Sequence, residues 1–204
     1  MRKLIVCNLM SLDGYVTGPE GNVMLLPLDG SFSGYNVERL READTLLLGA
    51  TTYRGFLGYW PGVENDDQQP EIEREISHRN NTIEKVVVSD SLAPEETGAW
   101  RDTTEIVRRA DARARVAQLK EDEGGEILTY ASTVLWNDLL AAGLVDELHL
   151  MIGAGAVGSG VPAFRQPFGG HAFPGELTVI DVRQLPDSQN ILVRYAVTAG
   201  QGPQ

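Results

Sequence analysis

Ala43-Asp44-Thr45-Leu46-Leu47-Leu48-Gly49-Ala50-Thr51-Thr52-Tyr53 is the stretch on which the fold turns. Its three consecutive leucines read as a strand buried on both faces, as in a parallel sheet. Gly49 follows at once, and Thr51 or Thr52 can cap a helix that starts there. A buried strand, a glycine and a hydroxyl-capped helix start present outward-pointing N–H groups with no side chain in the way. Such a site favours a phosphate. An ordinary αβ crossover has the same features, so this stretch alone leaves both readings open.

Upstream, residues 3–10 (Lys-Leu-Ile-Val-Cys-Asn-Leu-Met) are expected to form the first strand. They run into Ser11-Leu12-Asp13-Gly14-Tyr15-Val16-Thr17-Gly18-Pro19, a turn-rich loop. Gly14 and Gly18 suggest backbone that bends sharply or lies close to something, and Gly18 is counted among the cofactor-facing positions. Asp13 sits at the carboxyl end of a buried strand, where ligands of open α/β sheets bind. It can equally close an Asx-turn with Tyr15. Residues 19–33 read as irregular, and Tyr35 to Ala43 as a short helix with Val37 and Leu40 inward and Glu38 and Glu42 outward.

Downstream, a helix over about Thr52 to Tyr59 is expected to stop at Trp60-Pro61-Gly62. Pro70 to Arg79 reads as a helix broken by Asn80-Asn81. Lys85 to Asp90 is a β-branched strand ending in polar residues, Ser91 to Asp102 a loop, and Thr104 to Arg108 a short strand. Asp111 is placed to cap a helix carrying Ala112, Val116 and Leu119. Glu126 to Tyr130 is a strand followed by Ala131-Ser132-Thr133, with Ser132 placed to cap the next helix. This second junction repeats the physics of the first, and two such junctions can hold the two ends of one dinucleotide.

Val145 to Ile152 is a strand with Leu148, Leu150 and Ile152 on one face and Glu147 and His149 on the other, taken as a solvent or dimer face. Gly153 to Pro162 is glycine-rich but lacks the Gly-Lys-Ser/Thr of a Walker loop, so it reads as close-approach backbone or a flexible wall. Phe164 to Gly175 reads as loop. Leu177 to Arg183 and Ile191 to Val197 form a C-terminal antiparallel hairpin. The expected fold is α/β: a mostly parallel central sheet, helices on both faces and an antiparallel addition at the end. Residues 1–199 read as one domain and residues 200–204 as a tail.

A net charge of −12 argues against nucleic acid and anionic membranes as partners, and the apolar runs are too short for a membrane span. The N-terminus has no small-residue cleavage site after its apolar run, so a cytoplasmic protein is expected. Cys7 lies in that run and reads as a buried, inert thiol. His78, His149 and His171 form no metal-spaced pair, so no metal is expected.

Ser11-Leu12-Asp13-Gly14, the stretch Ala43 to Tyr53, Val86-Val87-Val88-Ser89, Gly143-Leu144-Val145-Asp146-Glu147-Leu148 and Gly158-Ser159-Gly160-Val161-Pro162-Ala163-Phe164 occur in this order. Together they resemble the reductase domains at the C-terminus of the bifunctional riboflavin-biosynthesis deaminase/reductase, in the form of a stand-alone member. The resemblance spans about residues 2–197 and implies a dihydrofolate-reductase-like fold with NADPH-dependent hydride transfer (NADH is also possible) to a small-molecule substrate. It places Gly49, Ala50, Thr51 and Thr52 at the cofactor diphosphate, with Ala131, Ser132, Thr133 and Val134 facing it from the other side. It places Ser89 and the adjoining Asp90 by the adenosine ribose and its 2′-phosphate. A homodimer, which the family often forms, is expected.

Three departures from the family pattern stand out. Asp90 replaces an arginine beside the 2′-phosphate position, with Arg108 or Arg109 as substitutes; Ala131 replaces a glycine; Gly153 or Ala154 replaces a proline. Asp13 is the first candidate to bind or protonate the substrate, provided burial raises its pKa. Tyr15, Tyr53 and Trp60 are candidates to stack on a planar ring, with a core position as the alternative for each. Glu38 and Glu42 do not face inward by helical spacing, so reduction of another carbonyl, imine or pterin-like compound is expected over dihydrofolate itself. A ligand-binding protein that keeps the fold without turnover is the competing hypothesis.

Overall fold

A computed structural model describes residues 1–165 and 175–198. The loop expected between 166 and 174, His171 and the tail at 200–204 lie outside the described residues. In chain order the elements are β1 (Leu4–Met10), β2 (Tyr15–Thr17), α1 (Gly30–Glu42), β3 (Ala43–Gly49), α2 (Ala50–Val63), α3 (Glu71–Thr82), β4 (Glu84–Val88) and β5 (Thr104–Val107). They continue as α4 (Ala112–Glu121), β6 (Glu126–Tyr130), α5 (Thr133–Ala141), β7 (Glu147–Ile152), β8 (Val161–Pro162), β9 (Glu176–Gln184) and β10 (Ile191–Thr198).

Eight strands form one sheet in the order β5-β4-β3-β6-β1-β7-β10-β9, and β2 pairs with β8 separately. The pairs from β5 through β7 are parallel, while β10 and β9 are antiparallel additions. Because β-strand side chains alternate, the Leu46-Leu47-Leu48 run feeds two cores. Leu46 and Leu48 join Ile5, Leu128, Val37 and Ile76 on the face covered by α1, α2 and α3. Leu47 joins Val6, Val86, Val116 and Leu139 on the face covered by α4 and α5. All three leucines are fully buried. Each contributes about 1.5–3 kcal/mol by leaving water.

Several elements differ from expectation. α1 starts five residues early, at Gly30, because the Asp29 carboxylate accepts from Ser31 N and caps it. α2 runs through Pro61 to Val63. α3 braces the turn that carries Pro61: Ser77 Oγ donates to the Trp60 carbonyl. α3 passes through Asn80, whose amide donates to Ile76 O within the helix. Most of the expected 91–102 loop is a 3-10 segment, Pro94–Thr103. Asp111 and Ser132 stand at helix starts, but neither side chain caps its helix.

Glu147 and His149 do not face solvent. α1 packs on that side of β7 and buries His149 completely. The Tyr35 hydroxyl lies 2.8 Å from His149 Nδ1, and His149 Nε2 lies 2.8 Å from Glu147 Oε2. Glu147 also accepts from Lys3 and Arg194. Arg194 Nε also lies 3.2 Å from His149 Nε2, so that nitrogen either donates to Glu147 or accepts from Arg194; when Nε2–H donates to Glu147, Nδ1 accepts from Tyr35. Burial is the chief cause that pushes the His149 pKa down to about 4. Glu147 sits at about 2: burial opposes ionisation, but the bonds from Lys3, His149 and Arg194 outweigh it. Both folded-state pKa values lie below their unfolded values, so both contributions are complete above those unfolded values and decline as pH falls. Urea midpoints are therefore expected to fall steadily from pH 6.5 to pH 4, and His149→Gln should flatten that slope. A midpoint independent of pH in this window would contradict the network.

Candidate active site

The parallel register sets the ends of β3 and β4 side by side, with Gly49 opposite Val88, and brings Cys7 of β1 opposite Tyr130 of β6. These carboxyl ends lead into α2, α5 and the Ser89-Asp90 turn, which therefore gather along one edge of the sheet.

The β6–α5 turn is locally strained. Ala131 (φ +46°) and Ser132 (φ +38°) are both left-handed, a conformation that costs on the order of 1 kcal/mol or more for a residue with a Cβ. Long-range bonds hold it there. Ala131 N donates to Asn8 Oδ1 at 2.6 Å, Ser132 N donates to Thr52 Oγ1 at 3.2 Å, and Gly49 N donates to Ser132 Oγ at 3.0 Å. The two hydroxyls are 3.1 Å apart. Thr52 and Ser132 thus join the two junctions; the expected cap from Thr51 or Thr52 is not made, because α2 already starts at Ala50 with Gly49 before it. α2, with 14 residues, and α5, with 9, both begin without a side-chain cap. The first-turn N–H groups of α2, on Ala50, Thr51 and Thr52, have no side-chain partner, and the positive end of its dipole is open. A Cβ on Gly49 would meet only Ser132 Oγ, at 3.9 Å. This double junction suits the diphosphate of a dinucleotide: unpaired donors, a helix dipole and open space. Thr133 and Val134 open α5 beside it, and Val134 is exposed.

Ser89 is buried, and its Oγ accepts from Ser91 N and Leu92 N at 3.1 and 2.9 Å. The Asp90 carboxylate accepts from Arg109 N at 3.0 Å, and its oxygen lies 3.7 Å from Arg109 Nε. Arg108 Nη1 donates to Asp90 O at 3.1 Å. The acidic departure at position 90 thus stands beside two exposed arginines from the turn after β5.

Asp13 does not play the role of a buried acid. It is exposed and accepts from Ser11 Oγ at 2.6 Å, Gly158 N at 2.7 Å and Val157 N at 3.1 Å. Those bonds, the one from Ser11 foremost, hold its pKa below the ordinary aspartate value. It is an ionised brace between the β1–β2 turn and the glycine-rich loop. That loop is close-approach backbone: a Cβ at Gly160 would lie 2.0 Å from Thr17 O, and one at Gly153 would lie 1.8 Å from Pro27 Cγ. Gly18 is likewise used internally, with Leu25 Cδ1 2.5 Å from where its Cβ would stand.

Tyr53 is fully buried, packed edge-on against Trp100 with its hydroxyl 3.0 Å from Thr104 Oγ1. It belongs to the core. Tyr15 is half-buried in β2, paired with β8. Of the three aromatic candidates, Trp60 lines an apolar cavity.

That cavity has a volume of about 270 Å³ and lies between the ends of β1 and β6 and the helices α1, α2 and α3. Its wall is apolar apart from Asn8, Asn36 and Asn80. Among the described lining residues there is no Asp, Glu, Lys, Arg or His. Burial raises the Cys7 thiol to about 12 and the Tyr130 hydroxyl well above its usual 10. The three asparagines were not singled out by sequence reasoning. The only signal was Asn8, a polar residue inside an apolar strand, and Asn80 was misread as a helix breaker. Among the described residues no three His, Cys, Asp or Glu side chains gather as a metal site.

The model of the RibD C-terminal domain matches residues 2–188. The chain belongs to that family. Solved structures with the same fold include a protein of Shewanella sp. PV-4 assigned to riboflavin biosynthesis (21% identical, TM-score 0.67, covering 96% of this chain and 99% of that one). The diaminohydroxyphosphoribosylaminopyrimidine deaminase/5-amino-6-(5-phosphoribosylamino)uracil reductase of Thermotoga maritima is 12% identical with a TM-score of 0.63, and 97% of this chain spans 57% of it. Dihydrofolate reductase of Enterococcus faecalis, complexed with NADP(H), is 12% identical with a TM-score of 0.58 over 96% of both chains. The dihydrofolate-reductase-like fold expected from the sequence is the fold observed. Among the described residues no helix is long and apolar enough to cross a membrane.

Ser132→Ala removes the acceptor of Gly49 N and the link to Thr52. It should lower stability by about 1 kcal/mol, read as a lower urea midpoint at unchanged slope. An unchanged midpoint would mean that the two junctions are not joined through this hydroxyl.

Proposed function

We propose that this protein is a nicotinamide-dependent reductase acting on a small carbonyl, imine or pyrimidine-like compound. The observation that carries the reading is the pair of uncapped helix starts, α2 and α5, joined through Ser132 beside an apolar cavity. Family membership supports the same reading. Gly49, Ala50, Thr51 and Thr52 would hold the diphosphate with Ala131 to Val134 opposite, and a bound nicotinamide supplies a hydride. The apolar cavity wall orients the substrate, and its open side admits solvent. With no neutral-range acid among the described lining residues, the proton that completes the reduction comes from solvent.

NADPH is the proposed cofactor. Arg108 and Arg109 stand at the Ser89-Asp90 turn, where the family resemblance sets the 2′-phosphate, and together they outweigh the Asp90 charge. A second reading, a binding protein without turnover, has its own support in the absence of an acid among the described cavity residues. Turnover distinguishes the two.

The continuous sheet from β5 to β9 supports treating residues 1–199 as one domain. Val179, Ile180 and Val182 on the edge strand β9 are 53%, 46% and 59% exposed, which supports a homodimer closed over that edge. Light scattering should give twice the chain mass, and Val182→Lys should reduce it to the chain mass; a wild-type monomer overturns the dimer.

Fluorescence titration is expected to detect NADPH binding, with Arg109→Glu weakening NADPH about tenfold or more while leaving NADH nearly unchanged. Thr51→Glu should weaken both, because it puts a negative charge at the start of α2. No binding of either nucleotide near 1 mM would sink the reductase reading.

A further inference from the structure

The link between the two strand–helix junctions runs through Ser132. Its Oγ accepts from Gly49 N at 3.0 Å, and its N donates to Thr52 Oγ1 at 3.2 Å. On the C-terminal side Ser132 is held by α5, because its carbonyl accepts from Leu135 N and Trp136 N. On the N-terminal side stands Ala131, and a side chain holds it. The pairing of β1 with β6 ends at Cys7 opposite Tyr130. The next N–H along the chain from β6 is that of Ala131. It donates at 2.6 Å to Asn8 Oδ1, not to the backbone of β1.

The surroundings of Asn8 show what this bond costs. Asn8 interrupts the apolar run of β1, between Leu4 to Cys7 and Leu9, and it is 5% exposed. Its bond from Ala131 is the one hydrogen bond its side chain makes among the described residues, and Nδ2 has no partner. A buried amide with its donor end unpaired costs free energy, so an apolar residue would suit this strand better for stability alone. Ala131 at φ +46° and Ser132 at φ +38° add the cost of two left-handed residues that carry a Cβ. Both costs fall on one turn, and that turn presents Ser132 Oγ to Gly49 N.

We propose that Asn8 is a positioning residue for the nucleotide site. Its side-chain carbonyl holds Ala131 in the left-handed region, which sets Ser132 against Gly49 and Thr52 and so fixes the starts of α2 and α5 relative to each other. It acts through Ala131, not on the nucleotide. Calling the joined helix starts a nucleotide site rests on the reductase reading; the hold of Asn8 on Ser132 and Gly49 does not.

The test reads the hold and the binding separately, on the full chain. Asn8→Leu keeps the volume and removes the acceptor, and Asn8→Ala is the second variant should leucine disturb the strand. Ala131→Gly puts at the turn a residue that takes a positive φ without strain. Amide hydrogen exchange reads the hold with no nucleotide present. In Asn8→Leu the Gly49 N–H is expected to exchange at least about tenfold faster after correction for any change in urea midpoint, while Leu47 in the same strand follows global stability alone. Adding Ala131→Gly to Asn8→Leu should return the Gly49 rate to within about threefold of that in Ala131→Gly alone. Fluorescence titration reads the consequence: Asn8→Leu is expected to weaken NADPH and NADH alike by about tenfold, and Ala131→Gly to recover the loss. A side chain that only filled space would lower the urea midpoint and leave Gly49 protection and nucleotide affinity unchanged. An unchanged Gly49 rate in the folded Asn8 variants overturns the proposal. So does a fast rate that Ala131→Gly leaves fast, or a freed Gly49 with nucleotide affinity unaltered. If the wild-type chain binds neither nucleotide near 1 mM, the reductase reading fails alone, and the Gly49 rates decide whether Asn8 holds the junction.

Discussion

The Ser132 hydroxyl holds the working edge of this molecule together. It accepts from Gly49 N and lies against Thr52, so one side chain joins the end of β3 to the end of β6. The bond requires Ser132 and Ala131 to stay left-handed, a conformation disfavoured for both residue types. It also turns Ser132 away from capping α5, while α2 starts behind Gly49, which has no side chain to cap it. The consequence is electrostatic: two adjoining helices start without a side-chain cap, in a protein whose net charge would otherwise repel anions. A local cradle of N–H groups and helix dipoles acts over one turn, whereas the net charge is screened over about 8–10 Å.

Behind that edge the interior divides by chemistry. The His149-Glu147-Tyr35 network sits between α1 and β7, hydrogen-bonded at both ring nitrogens and supported by Lys3 and Arg194. The cavity beyond the ends of β1 and β6 is nearly free of polar groups, and the amide atoms of Asn8 and Asn80 there are unpaired. The titratable cluster holds a histidine, a carboxylate and a tyrosine within bonding distance, and it is enclosed in the interior.

The sheet was legible because its signals are local. Leu46 to Leu48, Val86 to Val88 and Leu148 to Ile152 announce strands by residue type alone, and Gly143 ends a helix as expected. The ordered motifs identified the family and drew attention to the two strand–helix junctions. What local signals did not decide has reasons that are equally physical. Tyr53 and Trp60 are both aromatic residues of α2, yet Tyr53 packs on Trp100 in the core and Trp60 lines the cavity. Helical spacing alone does not reveal which neighbour each will meet. Asp13 carries a carboxylate at a strand end, the position expected of a catalytic acid. Its partners are backbone N–H groups 144 and 145 residues away, and they keep it ionised.

Residue type and order alone thus determined the strands, most helices, the mainly parallel sheet and the family, since each rests on burial patterns within a few residues. Tertiary structure alone decided which hydroxyls bridge and which cap, whether His149 is wet or dry, and which polar atoms remain unpaired in the cavity. Those properties depend on partners brought together from distant parts of the chain, as Asn8 is with Ala131 and Thr52 with Ser132. A hydrogen bond or an unpaired amide exists only relative to what lies within about 3 Å of it, and sequence spacing holds no record of that distance.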